Sequence, residues 1–125
     1  MPDTPARYRD LEGHSRVILL DFSGITDIEV GLAEVEKARA FVATHPADHS
    51  HFTLTDVRRT RYDKRIIEAF KGLTVHNRPY VKAAAVVSDS ALHRAAISMI
   101  ALFSRRKIET FASREEALAW LATQR

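Results

Sequence analysis

The segment of residues 54–65, LTDVRRTRYDKR, holds the residue types best suited to binding a charged partner. It reads as a short apolar strand that ends in a carboxylate, followed by five cationic side chains within eight residues. In an open α/β sheet, ligands bind where loops leave the carboxyl ends of the strands, and the first N–H groups of the next helix favour an anion. We therefore predict that this loop binds a protein partner or a small anion through Asp56, Arg58, Arg59, Thr60, Arg61 and Tyr62.

The same charges also have a purely structural interpretation. Cationic side chains at a helix N-terminus are unfavourable by about 0.3–1 kcal/mol each, so their presence asks for compensation. That compensation can come from a ligand, from solvent, or from ion pairs with Asp56 and Asp63 inside the segment. The sequence leaves these interpretations open.

Asp21, Asp56 and Ser88 all end predicted strands, where a receiver-like phosphoacceptor site would have its acidic residues and its hydroxyl. A receiver needs an adjacent acidic pair on its first strand and a lysine at the end of its last strand. Here the first strand ends in the single Asp21, and Lys107 begins the last strand. The sequence does not favour this site.

The histidines give no clear catalytic or metal site. Residues 45–51, HPADHSH, hold three histidines and Asp48, types that suit zinc or nickel, but they lie in a predicted loop where spacing is unrestrained. His76 and His93 accompany no arrangement with a serine or cysteine nucleophile, and the chain has no cysteine. We expect no metal, no cofactor and no enzymatic activity.

Apolar and β-branched runs predict the strands that position the loop. Buried-type strands are predicted over residues 17–22, 52–57, 82–88 and 107–111. Residues 7–12, before a turn at Gly13, are predicted to pair back on the first of these as a hairpin edge strand.

Helical periodicity and capping patterns predict four helices, over residues 27–44, from 62 to about 77, 91–103 and 113–122. Thr26 with Glu29, and Ser113 with Glu116, read as capping boxes. Helix 91–103 is apolar over more than half its circumference, so we expect it to be covered on two sides. Self-association or a hydrophobic ligand could provide part of that cover, as could the sheet and the last helix.

Alternation of strands and helices predicts an α/β domain with a mainly parallel sheet of four to five strands and about four helices. We predict one domain over residues 1–125, with residues 1–6 disordered. With 46% hydrophobic and 28% charged residues, the composition is that of a globular protein. The longest apolar run, residues 95–103, is too short to span a bilayer, and the opening residues do not form a secretory signal, so we predict a cytoplasmic location.

Charge is distributed unevenly along the chain. Residues 1–57 carry 5 Lys and Arg against 10 Asp and Glu, whereas residues 58–125 carry 14 against 6. Such a distribution could steer an anionic partner to one side or favour homo-oligomers, or it could interleave on folding. We expect no nucleic acid as partner, because the aromatic residues lie mostly on apolar stripes and no nucleic-acid-binding motif is present.

Three stretches carry a resemblance to a known family: VILLDFSG, KAAAVVS and, as the most specific, KIETFASREEALAWLA. Over about residues 8–122 the chain resembles the SpoIIAA-like group of STAS domains. The resemblance implies an α/β sandwich and a role as a non-catalytic regulatory or interaction module. An alternative is a carrier or sensor of a lipid-like or other hydrophobic small ligand.

The junction at residues 55–60 departs from the pattern of that superfamily. Its anti-sigma-factor antagonists carry a phosphorylatable serine in an Asp-Ser-x-Gly-like turn where a central strand meets its helix. Here Asp56 is present, but no serine follows it and the glycine is missing. Thr60 and Tyr62 are the nearby hydroxyls.

Overall fold

Five strands form one sheet in the order of the sequence. The computed structural model describes residues 6–61, 63–104 and 107–125. The strands are β1 (Tyr8–Asp10), β2 (Val17–Asp21), β3 (His51–Asp56), β4 (Val81–Val87) and β5 (Ile108–Phe111). The helices are α1 (Ile28–Val42), α2 (Lys64–Asn77), α3 (Ala91–Ser104) and α4 (Arg114–Ala122).

Strand pairing confirms the predicted α/β fold class. β1 is antiparallel to β2, with Arg9 opposite Leu19, so the predicted hairpin edge strand is confirmed. The three remaining pairs are parallel, and a helix lies between each pair of successive parallel strands. A parallel connection needs such a crossover, which explains the strict alternation along the chain.

Each face of the sheet has its own apolar core, because β2, β3 and β4 are buried on both sides. One core joins Ile18 and Leu20 of β2 to α1 and α2, with Ile97 of α3 at its margin. The other joins Leu19 of β2 and Leu54 of β3 to α4 alone. Three helices therefore cover one face, and one short helix covers the other.

Helix starts are set by side chains that accept hydrogen bonds from the first turn. Ser113 accepts from the backbone N–H of Glu116, as predicted. The predicted capping role of Thr26 is wrong, because Asp27 is the N-cap of α1 and accepts from the N–H of Val30.

Helix α3 corrects a second prediction. Leu92 is 76% exposed and Met99 is 71% exposed, so the outer side of α3 is not covered in the described part of the chain. The expectation of cover on two sides is therefore wrong for these residues. Self-association through α3 stays a prediction.

The predictions about membrane spans and about a disordered N-terminal segment can be compared with the structure in part. Within the described ranges, no helix is long and apolar enough to cross a membrane. Of the predicted disordered segment, residues 1–5 lie outside the described residues. The assignment of residues 1–125 to one domain stays a prediction.

The two leucines at opposite extremes of exposure give a direct test of these cores. Leu54→Ala removes a side chain with no solvent exposure from β3 and should lower the free energy of unfolding by about 2–5 kcal/mol. Leu92→Ala, the same substitution on the exposed side of α3, should change it by less than about 0.5 kcal/mol. Urea unfolding measures both, and an equal loss in the two variants would contradict the described placement of α3.

Candidate functional site

The carboxyl ends of β2, β3 and β5 bring charged residues together at one edge of the sheet, here called the carboxyl edge. Asp21 ends β2 and Asp56 ends β3, and the two are register partners. Arg114 begins α4 just after β5. Because parallel strands end at the same edge, residues far apart in sequence meet there.

Asp56 is the centre of this cluster and has no solvent exposure. The Nε and Nη2 atoms of Arg58 donate to its two carboxylate oxygens, at 3.1 and 2.8 Å. Nε of Arg114 donates to Oδ2 at 2.8 Å, and the backbone N–H of Arg58 donates to Oδ1 at 3.1 Å. Both carboxylate oxygens of Asp56 are thus occupied by hydrogen bonds within the protein.

Asp21 extends the cluster toward β2. Nη2 of Arg114 lies 3.2 Å from Oδ2 of Asp21. The other oxygen, Oδ1, accepts from the backbone N–H and the hydroxyl of Ser23, at 2.9 and 2.6 Å. Two carboxylates and two guanidinium groups, of Asp21, Asp56, Arg58 and Arg114, therefore form one charge-balanced unit, here called the edge network.

Ionisation in the edge network follows from these contacts. Burial opposes the charged form of Asp56, but the hydrogen bonds from Arg58 and Arg114 outweigh it and hold the pKa of Asp56 below its usual value. The hydrogen bond to Asp56 raises the pKa of Arg58. The guanidinium of Arg58 already donates two hydrogen bonds to Asp56, so few of its donors remain for a ligand.

The backbone of the rest of the predicted loop is held by hydrogen bonds, and two of its arginine side chains are exposed. Arg59 adopts a left-handed conformation, with φ 54°, and its N–H donates to Oδ2 of Asp89 at 3.2 Å. The N–H of Arg61 donates to the carbonyl of Ile25 at 3.3 Å. The side chains of Arg59 and Arg61 are exposed and, within the residues the structure describes, form no ion pair.

Thr60 and Tyr62 are the two remaining residues of the predicted site. The hydroxyl of Thr60 donates to the carbonyl of Val57 at 2.7 Å, and Thr60 lines a pocket under the helices. Tyr62 lies outside the described residues. Of the alternatives left open, the pairing of Asp56 with Arg58 is present, and Asp63 pairs with Arg65 beyond the predicted set.

A second candidate site is a pocket between the sheet and helices α2 and α3, here called the sheet–helix pocket. Its volume is about 90 Å³, and its apolar lining includes Ile67, Phe70, Leu73, Val86, Ile97 and Ile108. Its polar lining includes Thr53, Thr55 and Asn77. The pocket lies on the helix-rich face and is chemically unlike the carboxyl edge.

Only one residue of the pocket lining in the described chain can titrate near neutral pH, and burial affects it. His93 lies at the α3 side of the pocket. Burial lowers the pKa of His93, more than the nearby Asp89 raises it, which favours the neutral imidazole at pH 7. Among the described residues, the lining of the sheet–helix pocket therefore carries no charge at pH 7.

The histidine-rich loop makes local contacts. Nε2 of His45 lies 2.7 Å from Oδ1 of Asp10, and the rings of His45 and His51 are 4.9 Å apart. Burial and the neighbouring His45 lower the pKa of His51. Across the residues that the structure describes, no group of three or more histidine or carboxylate side chains is placed to hold a metal ion.

Comparison with known families agrees with the strand order and with the resemblance noted in the sequence. The family described as SpoIIAA-like matches residues 11–122 of the 125-residue chain. The chain belongs to the SpoIIAA-like family. No curated protein and no solved structure matches it significantly. Membership in the SpoIIAA-like family supports a STAS-like domain, a class often regulatory or interacting and generally not enzymatic.

SpoIIAA-like membership gives meaning to the conformation of Arg59. Counting from Asp56, Arg59 occupies the place of the glycine in the Asp-Ser-x-Gly-like turn. A positive φ is natural for glycine and uncommon for arginine. Arg59 thus adopts a backbone conformation that glycine adopts easily, and Val57 occupies the place of the serine in that pattern.

Sequence reasoning found part of these sites and missed part. It placed Asp56 and Arg58 in one loop, but not the contact from Arg114, because that residue lies 58 positions further along the chain. Its position directly after a predicted strand and cap was the available signal. The pocket residues Thr53 and Asn77 carried no local signal. A binding role for the predicted loop stays a prediction.

The edge network predicts a large effect of removing one charge. Asp56→Asn should lower the free energy of unfolding at pH 7 by on the order of 3 kcal/mol, because Arg58 and Arg114 lose their buried carboxylate. Glu109→Gln, at an exposed carboxylate on β5, is the matched control and should cost less than about 0.5 kcal/mol.

The effect should also depend on pH. The pKa of Asp56 is lower in the folded than in the unfolded state, so its stabilisation is present above the unfolded value of about 3.9 and is lost as pH falls through the folded value. Urea unfolding should show a steady difference between wild type and Asp56→Asn from about pH 5 to 7, shrinking below about pH 4. A difference that persists unchanged in acid would contradict the ion pairs.

Proposed function

We propose that this protein is a non-catalytic binding module that holds a small, mainly apolar molecule in the sheet–helix pocket. The observation that carries the proposal is the exposure of Thr55. This residue lies on β3, the central strand of the sheet, on the face covered by helices, yet it is only half-buried. Water or a ligand therefore reaches the middle of the sheet through the pocket.

The chemistry of the pocket wall supports an apolar occupant. Ligand pockets are lined mainly by hydrophobic side chains, with a few polar groups that fix orientation. Here Phe70, Leu73 and Ile97 supply the apolar wall, and threonines from β3 supply hydroxyls. Small residues, Ala84 on β4 and Ala96 on α3, leave the space open.

The outer wall of the pocket is also suited to opening. Helix α3 forms this wall through His93, Ala96 and Ile97. Its outward residues Leu92 and Met99 are apolar and exposed. A helix held mainly by its inner side can move to admit a ligand at less cost than one held on both sides.

The pocket predicts that two neighbouring alanines of α3 respond differently to the same substitution. Ala96 lines the pocket, and Ala95 is exposed. Ala96→Phe should fill the pocket and abolish ligand binding with a stability change below about 1 kcal/mol, because the ring enters existing space. The Ala95→Phe variant should bind the ligand as tightly as the wild type does.

Native mass spectrometry of the freshly purified chain, before and after incubation with four-carbon alcohols, whose size suits a cavity of about 90 Å³, measures this binding. Adducts on wild type and Ala95→Phe but not on Ala96→Phe are expected. No adduct on wild type under either condition, or equal adducts on all three proteins, would contradict the proposal.

A second candidate function is the one indicated first by the sequence, capture of an acidic protein partner or small anion at the carboxyl edge. The observation in its favour is the exposure of Arg59 and Arg61, which keep their charge available while Arg58 is engaged by Asp56. Their loop is fixed by backbone hydrogen bonds to Asp89 and Ile25. A fixed loop loses less entropy on binding.

Charge reversal tests this second candidate. Arg59→Glu with Arg61→Glu should weaken binding to a polyglutamate peptide or inorganic phosphate about tenfold at low salt, since each exposed charge pair contributes up to about 1 kcal/mol. Arg78→Glu with Lys82→Glu changes the same net charge at exposed residues outside the loop and should bind as wild type. Titration calorimetry measures both, and equal weakening would indicate a general charge effect only.

A further inference from the structure

We infer that the outer edge of β5 binds a second copy of this chain, strand against strand and antiparallel. This surface is separate from the sheet–helix pocket and from the loop after β3, so it goes beyond both candidate functions proposed above. The sheet has two edge strands, β1 and β5, and their charges differ in whether they permit such pairing.

The backbone of β5 is paired on one side. β5 stands at the end of the strand order and, among the described residues, its strand partner is β4 alone. The carbonyls of Lys107 and Phe111 accept from backbone N–H groups of β4 and of the residue after it, each at 2.9 Å. Because successive residues of a strand turn their backbone groups to alternate sides, Ile108 and Thr110 turn theirs away from β4. Outward N–H and C=O groups of this kind are a template for another strand.

Two-fold symmetry restricts the register of such a pair. In an antiparallel pair of identical strands, one residue lies opposite its own copy, and its neighbours on either side lie opposite each other. With Ile108 at the centre, its outward N–H and C=O exchange two hydrogen bonds with those of Ile108 in the second copy. Lys107 then lies opposite Glu109 of the second copy, and Glu109 lies opposite Lys107. Side chains are closest at positions of this kind, which flank a hydrogen-bonded pair.

The charges at these two positions are complementary and accessible. Lys107 and Glu109 are both exposed, and in the described part of the chain neither forms an ion pair. Opposite charges directly across two antiparallel strands stabilise the pair, and like charges destabilise it. A register centred on Ile108 gives two attractive pairs, whereas one centred on Glu109 sets two carboxylates against each other. Charge complementarity therefore selects a second copy of this chain as the partner and Ile108 as the centre.

The other edge strand, β1, has charges that oppose pairing with its own copy. A pair centred on Tyr8 sets Arg7 opposite Arg9 of the second copy. A pair centred on Arg9, or on Asp10, sets that charge opposite itself. Like charges on an edge strand are a common protection against unwanted pairing. β1 is therefore protected in each of these registers, and β5 is the edge with a register that attracts its own copy.

Sedimentation equilibrium of the full chain at low salt measures this association. A strand of four residues forms a small interface, so a weak dimer is expected, and the protein is examined from about 10 µM to about 1 mM. The wild type should show a dimer that grows with concentration. Lys107→Glu sets two carboxylates opposite each other at both charge pairs and should weaken the dimer at least about tenfold. Glu109→Lys sets two ammonium groups opposite each other and should weaken it similarly.

Exchange of the two charges provides the matched control. The double variant Lys107→Glu with Glu109→Lys again has opposite charges across the axis and should dimerise within about threefold of the wild type. An equimolar mixture of the two single variants should form a mixed dimer for the same reason. Glu36→Lys makes the same change of net charge at an exposed residue of α1 and should dimerise as the wild type does.

Three results would each overturn the inference. The first is a wild type that stays monomeric at about 1 mM, which would leave the β5 edge to a strand of another protein. The second is a dimer that neither single variant weakens, which would place the interface on another surface, such as the exposed side of α3. The third is loss of the dimer in the single variants without recovery in the double variant or in the mixture. None of these results would affect ligand binding in the sheet–helix pocket.

Discussion

The burial of Asp56 is the constraint on which the carboxyl edge depends. A carboxylate without solvent exposure is stable only when hydrogen-bonded cations compensate it, and here Arg58 and Arg114 do so. Because a guanidinium can donate to two carboxylates at once, Arg114 also reaches Asp21. The edge network therefore fixes the ends of β2 and β3 to the start of α4. Its two carboxylates are paired with arginines of the protein itself, without a ligand.

The domain has two candidate binding surfaces with different chemistry, the carboxyl edge and the sheet–helix pocket. On the carboxyl edge, the loop backbone is fixed, and the side chains of Arg59 and Arg61 extend to solvent. Under α2 and α3, the described residues that line the sheet–helix pocket have uncharged side chains. Ions and apolar molecules would consequently use different parts of this domain, and a variant at one surface can leave the other intact.

Local patterns in the sequence predicted the fold to within a few residues. Apolar runs, and the prolines and glycines that end them, are signals that lie within a few residues of one another in the chain. The predicted positions of β2 and α1 therefore agree with the structure. The contact of Arg114 with Asp56 depends on strand order, which no local pattern contains. The pocket depends on missing volume at Ala84 and Ala96, and these alanines are compatible with a filled core as well as with an open one.

The conformation of Arg59 connects the family turn to the choice between the two surfaces. A left-handed arginine is less favourable than a left-handed glycine by about 1 kcal/mol, so the turn is maintained against a local cost. The hydrogen bonds from the Arg58 N–H to Asp56 and from the Arg59 N–H to Asp89 offset that cost. Val57, at the place of the serine in the Asp-Ser-x-Gly-like pattern, is buried and lines the sheet–helix pocket. The side chain at that position therefore belongs to the wall of the sheet–helix pocket and has no hydroxyl that could be phosphorylated.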